Sequence, residues 1–176
     1  MLKLVLIAVV LAAAVVVTIA LSRSDDFRVR RSLVIKAPPQ KIAALIENFR
    51  DWQAWSPYEK LDPARQRSYS GPDSGPGAVY AWNGNGKVGQ GRMEILEATP
   101  DHIAIKLDFF KPIEGHNTAE FDLRPQGDTT EVSWTMSGPR PFIGKLMSVF
   151  FNMDKMIGGQ FEQGLISLKT LAEQPA

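Results

Sequence analysis

Between Pro141 and Glu173, the residues Leu146, Phe150, Met153, Ile157, Phe161, Leu165, Leu168 and Leu171 recur at steps of three and four. Such steps stack side chains along one face of an α-helix, and that face has to be covered. Lys145, Ser148, Asn152, Lys155, Glu162, Gln163, Lys169 and Thr170 fall between them. A polar back of this kind marks a surface helix laid on something apolar. Met147, Met153 and Met156 accompany Phe150, Phe151 and Phe161, and flexible methionines fill irregular space and adapt to a partner. The sequence before this helix is mostly strand-like, so the expected cover is a sheet curved around it, with a cavity left between the two.

At the other end, Leu4 to Leu21 carries no charge and only Thr18 is polar. With its flanks this run approaches the ~20 residues that span a bilayer at 1.5 Å rise each. It reads as a membrane anchor comprising residues 1–24, ahead of a domain at 25–176. The rival reading is a cleaved signal peptide, for which Lys3 supplies a basic start and Thr18-Ile19-Ala20 a poor cleavage match. Arg23, Arg28, Arg30 and Arg31 outnumber the positive groups before the span, which favours a cytoplasmic domain. Asp25 and Asp26 offset that bias, so both orientations stay open.

The remainder fits one domain, since roughly 150 residues suffice for a real core. A net charge of +1 speaks against a nucleic-acid surface. The absence of cysteine removes disulfides, thiolate metal sites and cysteine nucleophiles.

Phe27 to Ala37 alternates, with Val29, Leu33 and Ile35 on one side, until Pro38-Pro39 stops the strand. Ile42, Leu45, Ile46 and Phe49 then give a helix one apolar face. Trp52 and Trp55 suggest a second short helix ended by Pro57. From Arg65 onward strands alternate with turns, and Ser70 to Gly77 is pure turn chemistry. The runs Ala78 to Asn83, Gly91 to Ala98, Ile103 to Phe110, Thr118 to Leu123 and Thr130 to Met136 form an antiparallel meander. The expected fold is therefore α+β, a sheet of six to seven antiparallel strands wrapped around a long C-terminal helix.

The alternation turns Met93, Ile95, Ile105, Leu107, Phe109, Phe121, Trp134 and Met136 toward that helix. With Phe150, Met153, Ile157 and Phe161 they are the expected lining of a ligand pocket. Arg31, Asn83, Glu97 and Asn117 have the same inward parity, and Tyr69 and Tyr80 lie nearby on adjacent strands. A buried polar group is costly without a purpose, so these six are either rim residues at fraying strand ends or groups that orient a ligand. Gly158-Gly159 costs the helix up to ~1 kcal/mol per glycine, which implies close packing there or room for a ligand.

Gly84-Asn85-Gly86-Lys87-Val88-Gly89 spells a dinucleotide fingerprint, but a strand follows where that motif needs a helix, so it reads as a hairpin. His102 sits at a turn and His116 at a strand start, neither with a partner at metal or catalytic spacing. No cofactor or metal is expected.

Val34-Ile35-Lys36-Ala37-Pro38-Pro39-Gln40-Lys41-Ile42, Trp52 to Asp62, Tyr69-Ser70-Gly71-Pro72, Val132 to Gly138 and Met153 to Gly158 are similar to bacterial SRPBCC proteins with one N-terminal membrane helix. The element order resembles the helix-grip fold of that START-like, or Bet v 1-like, superfamily, often labelled polyketide cyclase/dehydrase. The resemblance implies a single-pass protein of a bacterial inner membrane. It also implies a cavity for hydrophobic small molecules such as lipids, sterols or polyketides. The superfamily shares no universal catalytic set, so the resemblance designates no catalyst. The leading expectation is a membrane-tethered module that binds a lipid-like or aromatic ligand. An alternative is a cyclase or dehydratase drawing acid-base chemistry from Tyr69, Tyr80, Glu97 or His116, at least two of which would have to converge in the cavity. A further alternative is a chaperone-like interaction module, as in the Hsp90-activator relatives of the fold, using the Trp52 and Trp55 segment; its protein partner is unknown.

Overall fold

The computed structural model describes residues 1–175. Helix α1 (Leu2–Leu21) leads into strand β1 (Asp26–Ile35), and three short helices follow: α2 (Pro39–Glu47), α3 (Trp52–Trp55) and α4 (Pro57–Leu61). Six strands come next: β2 (Gln66–Ser70), β3 (Val79–Asn83), β4 (Gln90–Ala98), β5 (His102–Lys111), β6 (Gly115–Gln126) and β7 (Thr129–Pro139). The chain finishes with α5 (Phe142–Phe150) and α6 (Met153–Ala172).

All seven strands join one antiparallel sheet in the order β1-β7-β6-β5-β4-β3-β2. From β2 onward consecutive strands are linked by turns, and β1 pairs out of sequence, with the last strand. The sheet wraps α6, with α2, α3 and α4 packed along the same helix. This is the helix-grip arrangement.

Alternation sets the core. Ile95, Ile103, Ile105, Ala119, Phe121, Leu123, Val132 and Trp134 are buried on the inner face. From α6, Phe161, Leu165, Leu168 and Ala172 meet them at helical steps, and Phe161 stacks on Trp134 with centroids 4.1 Å apart. Trp52 and Trp55 are core as well, their indole N–H groups donating to the Ile46 and Leu45 carbonyls at 2.8 and 3.0 Å. A buried indole requires such a partner. With both rings inside, Trp52 and Trp55 belong to the core and present no aromatic face to a protein partner.

One expectation about helices needs correction. Pro141 to Glu173 is not one helix: the backbone becomes extended at Phe151 and Asn152. The Asn152 side chain then accepts the Lys155 N–H at 2.9 Å, so an N-cap starts α6 afresh. The stripe loses its phase at that break, and Phe150 is 67% exposed. The short helix expected at Trp52 and Trp55 does end before Pro57, with Ser56 extended, and Pro57 also opens α4 at its first position, where its missing N–H costs nothing.

The Gly84 to Gly89 segment is the β3–β4 turn and a strand follows it. Gly89 is required there, because its φ of +63° is unfavourable for other residues and a side chain would strike the Lys111 carbonyl.

Candidate functional site

The sheet does not close on the N-terminal half of α6, and a cavity of about 420 Å³ lies between them. That volume falls within the roughly 300–1,000 Å³ of small-molecule sites. The strands contribute Tyr80, Trp82, Met93, Leu107, Phe109, Trp134 and Met136, and α6 contributes Met153, Ile157 and Phe161. The inner end is closed where Phe161 stacks on Trp134 and where Gly164 brings α6 against Trp134 and Pro57. At the outer end the wall is formed by the turns holding Lys87, Val88, Ile113 and Glu114, by Pro139 to Pro141, and by Ile143, Gly144 and Met147 of α5.

Of the twelve apolar residues expected from the sequence, eight line this cavity: Met93, Leu107, Phe109, Trp134, Met136, Met153, Ile157 and Phe161. Ile95, Ile105 and Phe121 face inward but lie in solid core, Phe121 being 6.1 Å from each of the Trp52 and Trp55 rings. Phe150 is outside the cavity because of the helix break.

The six polar candidates separate. Tyr80 and Asn117 line the cavity. Arg31 reaches over to α6 and binds Glu162 at 2.7 Å and Asp154 at 2.9 Å, so it clamps the helix to β1. Tyr69 lies outside, stacked on the Tyr80 ring at 5.2 Å with Arg50 over its other face. Asn83 is exposed with its amide toward Gln66, sharing its parity with Ala81 and not with Tyr80 and Trp82. Glu97 is exposed because a β-bulge between Ile95 and Glu97 reverses the alternation.

His116 is also outside, bonded to Asp108 at 2.8 Å on the outer face of the sheet. Asp108 is buried beneath it and Lys106. Tyr69, Glu97 and His116 therefore do not meet Tyr80 in the cavity, and the acid-base set anticipated from the sequence does not assemble.

A different polar group does assemble at the wall. Glu59 of α4 is 6% exposed and accepts the Tyr80 hydroxyl at 2.7 Å. Arg67 donates to its other oxygen from Nε and Nη2 at 2.9 and 2.8 Å, and Arg65 lies at 3.4 Å from the same oxygen. Arg65 in turn donates to the Tyr58 carbonyl. Two guanidinium groups facing one carboxylate leave one positive charge in excess beside an otherwise greasy space. Burial and the bond to Glu59 raise the Tyr80 pKa, and burial alone raises that of Tyr58. Arg65 Nε and Trp134 Nε1 are buried without a partner among the described residues. Only the glutamate's place in the Trp52 to Asp62 box hinted at this cluster, since short helices give no parity from which to read direction. Among the described residues, no group of three His, Asp or Glu side chains comes together as a metal site.

Solved structures share this architecture at low identity. A protein from Chromobacterium violaceum aligns over 86% of this chain and 99% of its own, with a TM-score of 0.59 and 16% identity. The ginseng major latex-like protein 151 from Panax ginseng aligns over 86% and 100%, with a TM-score of 0.59 and 10% identity. The di-domain ARO/CYC BexL of the BE-7585A biosynthetic pathway aligns over 91% of this chain at a TM-score of 0.61 and 14% identity; the chain spans 54% of its length. No curated protein matches the chain in sequence. Residues 26–173 match the family described as polyketide cyclase / dehydrase and lipid transport. That match spans every strand and all helices but α1, and with the helix-grip fold it makes this chain a member of that family, within the SRPBCC superfamily.

Proposed function

We propose that this protein is a membrane-tethered binding module for a lipid-like or aromatic small molecule held between the sheet and α6. Residues 1–24 act as the anchor in a bacterial inner membrane and residues 25–176 as the binding domain. The observation that carries this reading is the cavity of about 420 Å³ with apolar walls and the Glu59, Arg65 and Tyr80 cluster among its lining. Apolar burial supplies most of the affinity, at about 25 cal/mol per Å² before association costs. The family description, which includes lipid transport, supports a hydrophobic ligand. The test is native mass spectrometry of the full chain extracted from its own membranes, followed by titration with a fluorescent fatty acid and a polycyclic aromatic. A co-purifying mass or saturable uptake is expected; an empty protein that takes up neither probe overturns the proposal.

A second reading is a cyclase- or dehydratase-type enzyme. It rests on the Tyr80 hydroxyl bonded to the Glu59 carboxylate at the cavity wall. The neighbour BexL is titled an ARO/CYC protein of a biosynthetic pathway, which keeps this chemistry in view. It requires turnover of a captured ligand that Tyr80→Phe abolishes while capture persists.

A further inference from the structure

Among the described residues, α5 is the one helix from which no residue is buried, although its sequence Phe-Ile-Gly-Lys-Leu-Met-Ser-Val-Phe is almost wholly apolar. Its single charge does not face outward, because Lys145 turns back to pair with Asp25 and its side chain is largely covered. What remains at the surface is Phe142, Ile143, Met147 and Phe150, continued by Phe151 and Met156. A patch of large apolar side chains this continuous marks an interaction site and not ordinary surface.

Three observations say what covers it. First, α5 packs against α1, the apolar span. Second, within α1 the residues withdrawn from solvent are Val16 and Ala20, in its last two turns. Five residues at 1.5 Å rise put Val16 roughly 7–8 Å inside the end of the span. That matches the roughly 5–10 Å to which interfacial helices sink into a bilayer. Third, Ile143 and Met147 are exposed on the outside and line the cavity on the inside, beside exposed Ile113. The patch and the cavity mouth are thus one surface.

We infer that α5 is a second membrane contact, lying in the bilayer interface beside α1, and that the cavity opens onto the bilayer through it. An apolar ligand passes from the acyl-chain region between α5 and the Ile113 turn without crossing water. Lys87 and Arg140 on the rim face the headgroup layer. This inference rests on α1 being in the membrane, as proposed above.

The chain contains no cysteine, so single cysteines report cleanly. The full chain is reconstituted in vesicles of phosphatidylcholine and phosphatidylglycerol, carrying Phe150→Cys, Phe142→Cys, Ala12→Cys or Ile166→Cys labelled with bimane. Doxyl lipids should quench positions 12, 142 and 150 several-fold more than position 166, an exposed apolar residue toward the far end of α6. Iodide should quench position 166 alone. Lipid quenching at 12 with iodide quenching at 142 and 150 overturns the α5 contact while the anchor stands. Iodide quenching at 12 as well overturns both.

The uptake route has its own readout. Phe150 does not line the cavity, so Phe150→Glu should bind a water-soluble anilinonaphthalene sulfonate like the parent. It should capture a pyrene-labelled fatty acid from vesicles several-fold more slowly. Equal capture rates overturn the route.

Discussion

The guanidinium of Arg31 fills the space that a β-carbon on Gly158 would occupy. Gly158 therefore exists to let β1 approach α6, while its neighbour Gly159 has open space around it. Gly159→Ala should stabilise the protein by up to ~1 kcal/mol through helix propensity. Gly158→Ala should forfeit that gain by displacing Arg31 from Asp154 and Glu162. In an Arg31→Ala background the two substitutions should become equivalent, as measured by urea denaturation of the detergent-solubilised chain.

Glu59 is buried and answers two arginines and Tyr80. Removing it leaves the buried Arg65 uncompensated, and breaking a buried pair in this way costs about 3–5 kcal/mol. Glu59→Ala should accordingly lower the unfolding free energy by that order. Tyr80→Phe removes one hydrogen bond and should cost about 1–3 kcal/mol. Equal losses for the two variants would contradict the cluster's role in the fold.

Much of this was readable beforehand wherever a strand kept strict alternation. Met93, Leu107, Trp134 and Met136 lie on the cavity wall because nothing interrupts the pleat between them and the strand from which their parity was counted. Glu97 was misplaced by a bulge, which leaves no mark in residue type. Phe150 was misplaced because an apolar run looks periodic across a break; Asn152 was the only local sign of the new cap. Ile95, Ile105 and Phe121 show a different limit. Parity tells which face a side chain takes, but whether that face meets core or void depends on where Trp52 and Trp55 come to rest.

Ile157 of α6 lines the cavity together with Trp134 and Met136 of β7. Ile157→Trp adds bulk where space exists, so the fold should persist while affinity for a fluorescent fatty acid falls at least tenfold. Preserved affinity would place the ligand elsewhere.

His116 is exposed, yet the hydrogen bond to Asp108 raises its pKa above the ordinary 6.5. A raised folded value means that its contribution is complete below pH ~6.5 and is lost as pH rises through the folded pKa. NMR titration should find the His116 midpoint above 6.5 and return it to the ordinary value in Asp108→Asn. Denaturation midpoints should lose their dependence on pH in this window in His116→Ala.

Among the described residues β1 pairs with β7 alone, and its far end is held by the final turns of α6: Lys169 donates to the Val34 carbonyl, and Glu173 accepts the Lys36 N–H. The first strand of the sheet thus completes its bonding only with the last helix of the domain. Folding of the domain must therefore wait until α6 is available, because no part of the chain between them completes the bonding of this strand. Truncation of even the last helical turn should therefore be felt at the far side of the domain, as a loosened β1 whose free edge is open to other chains.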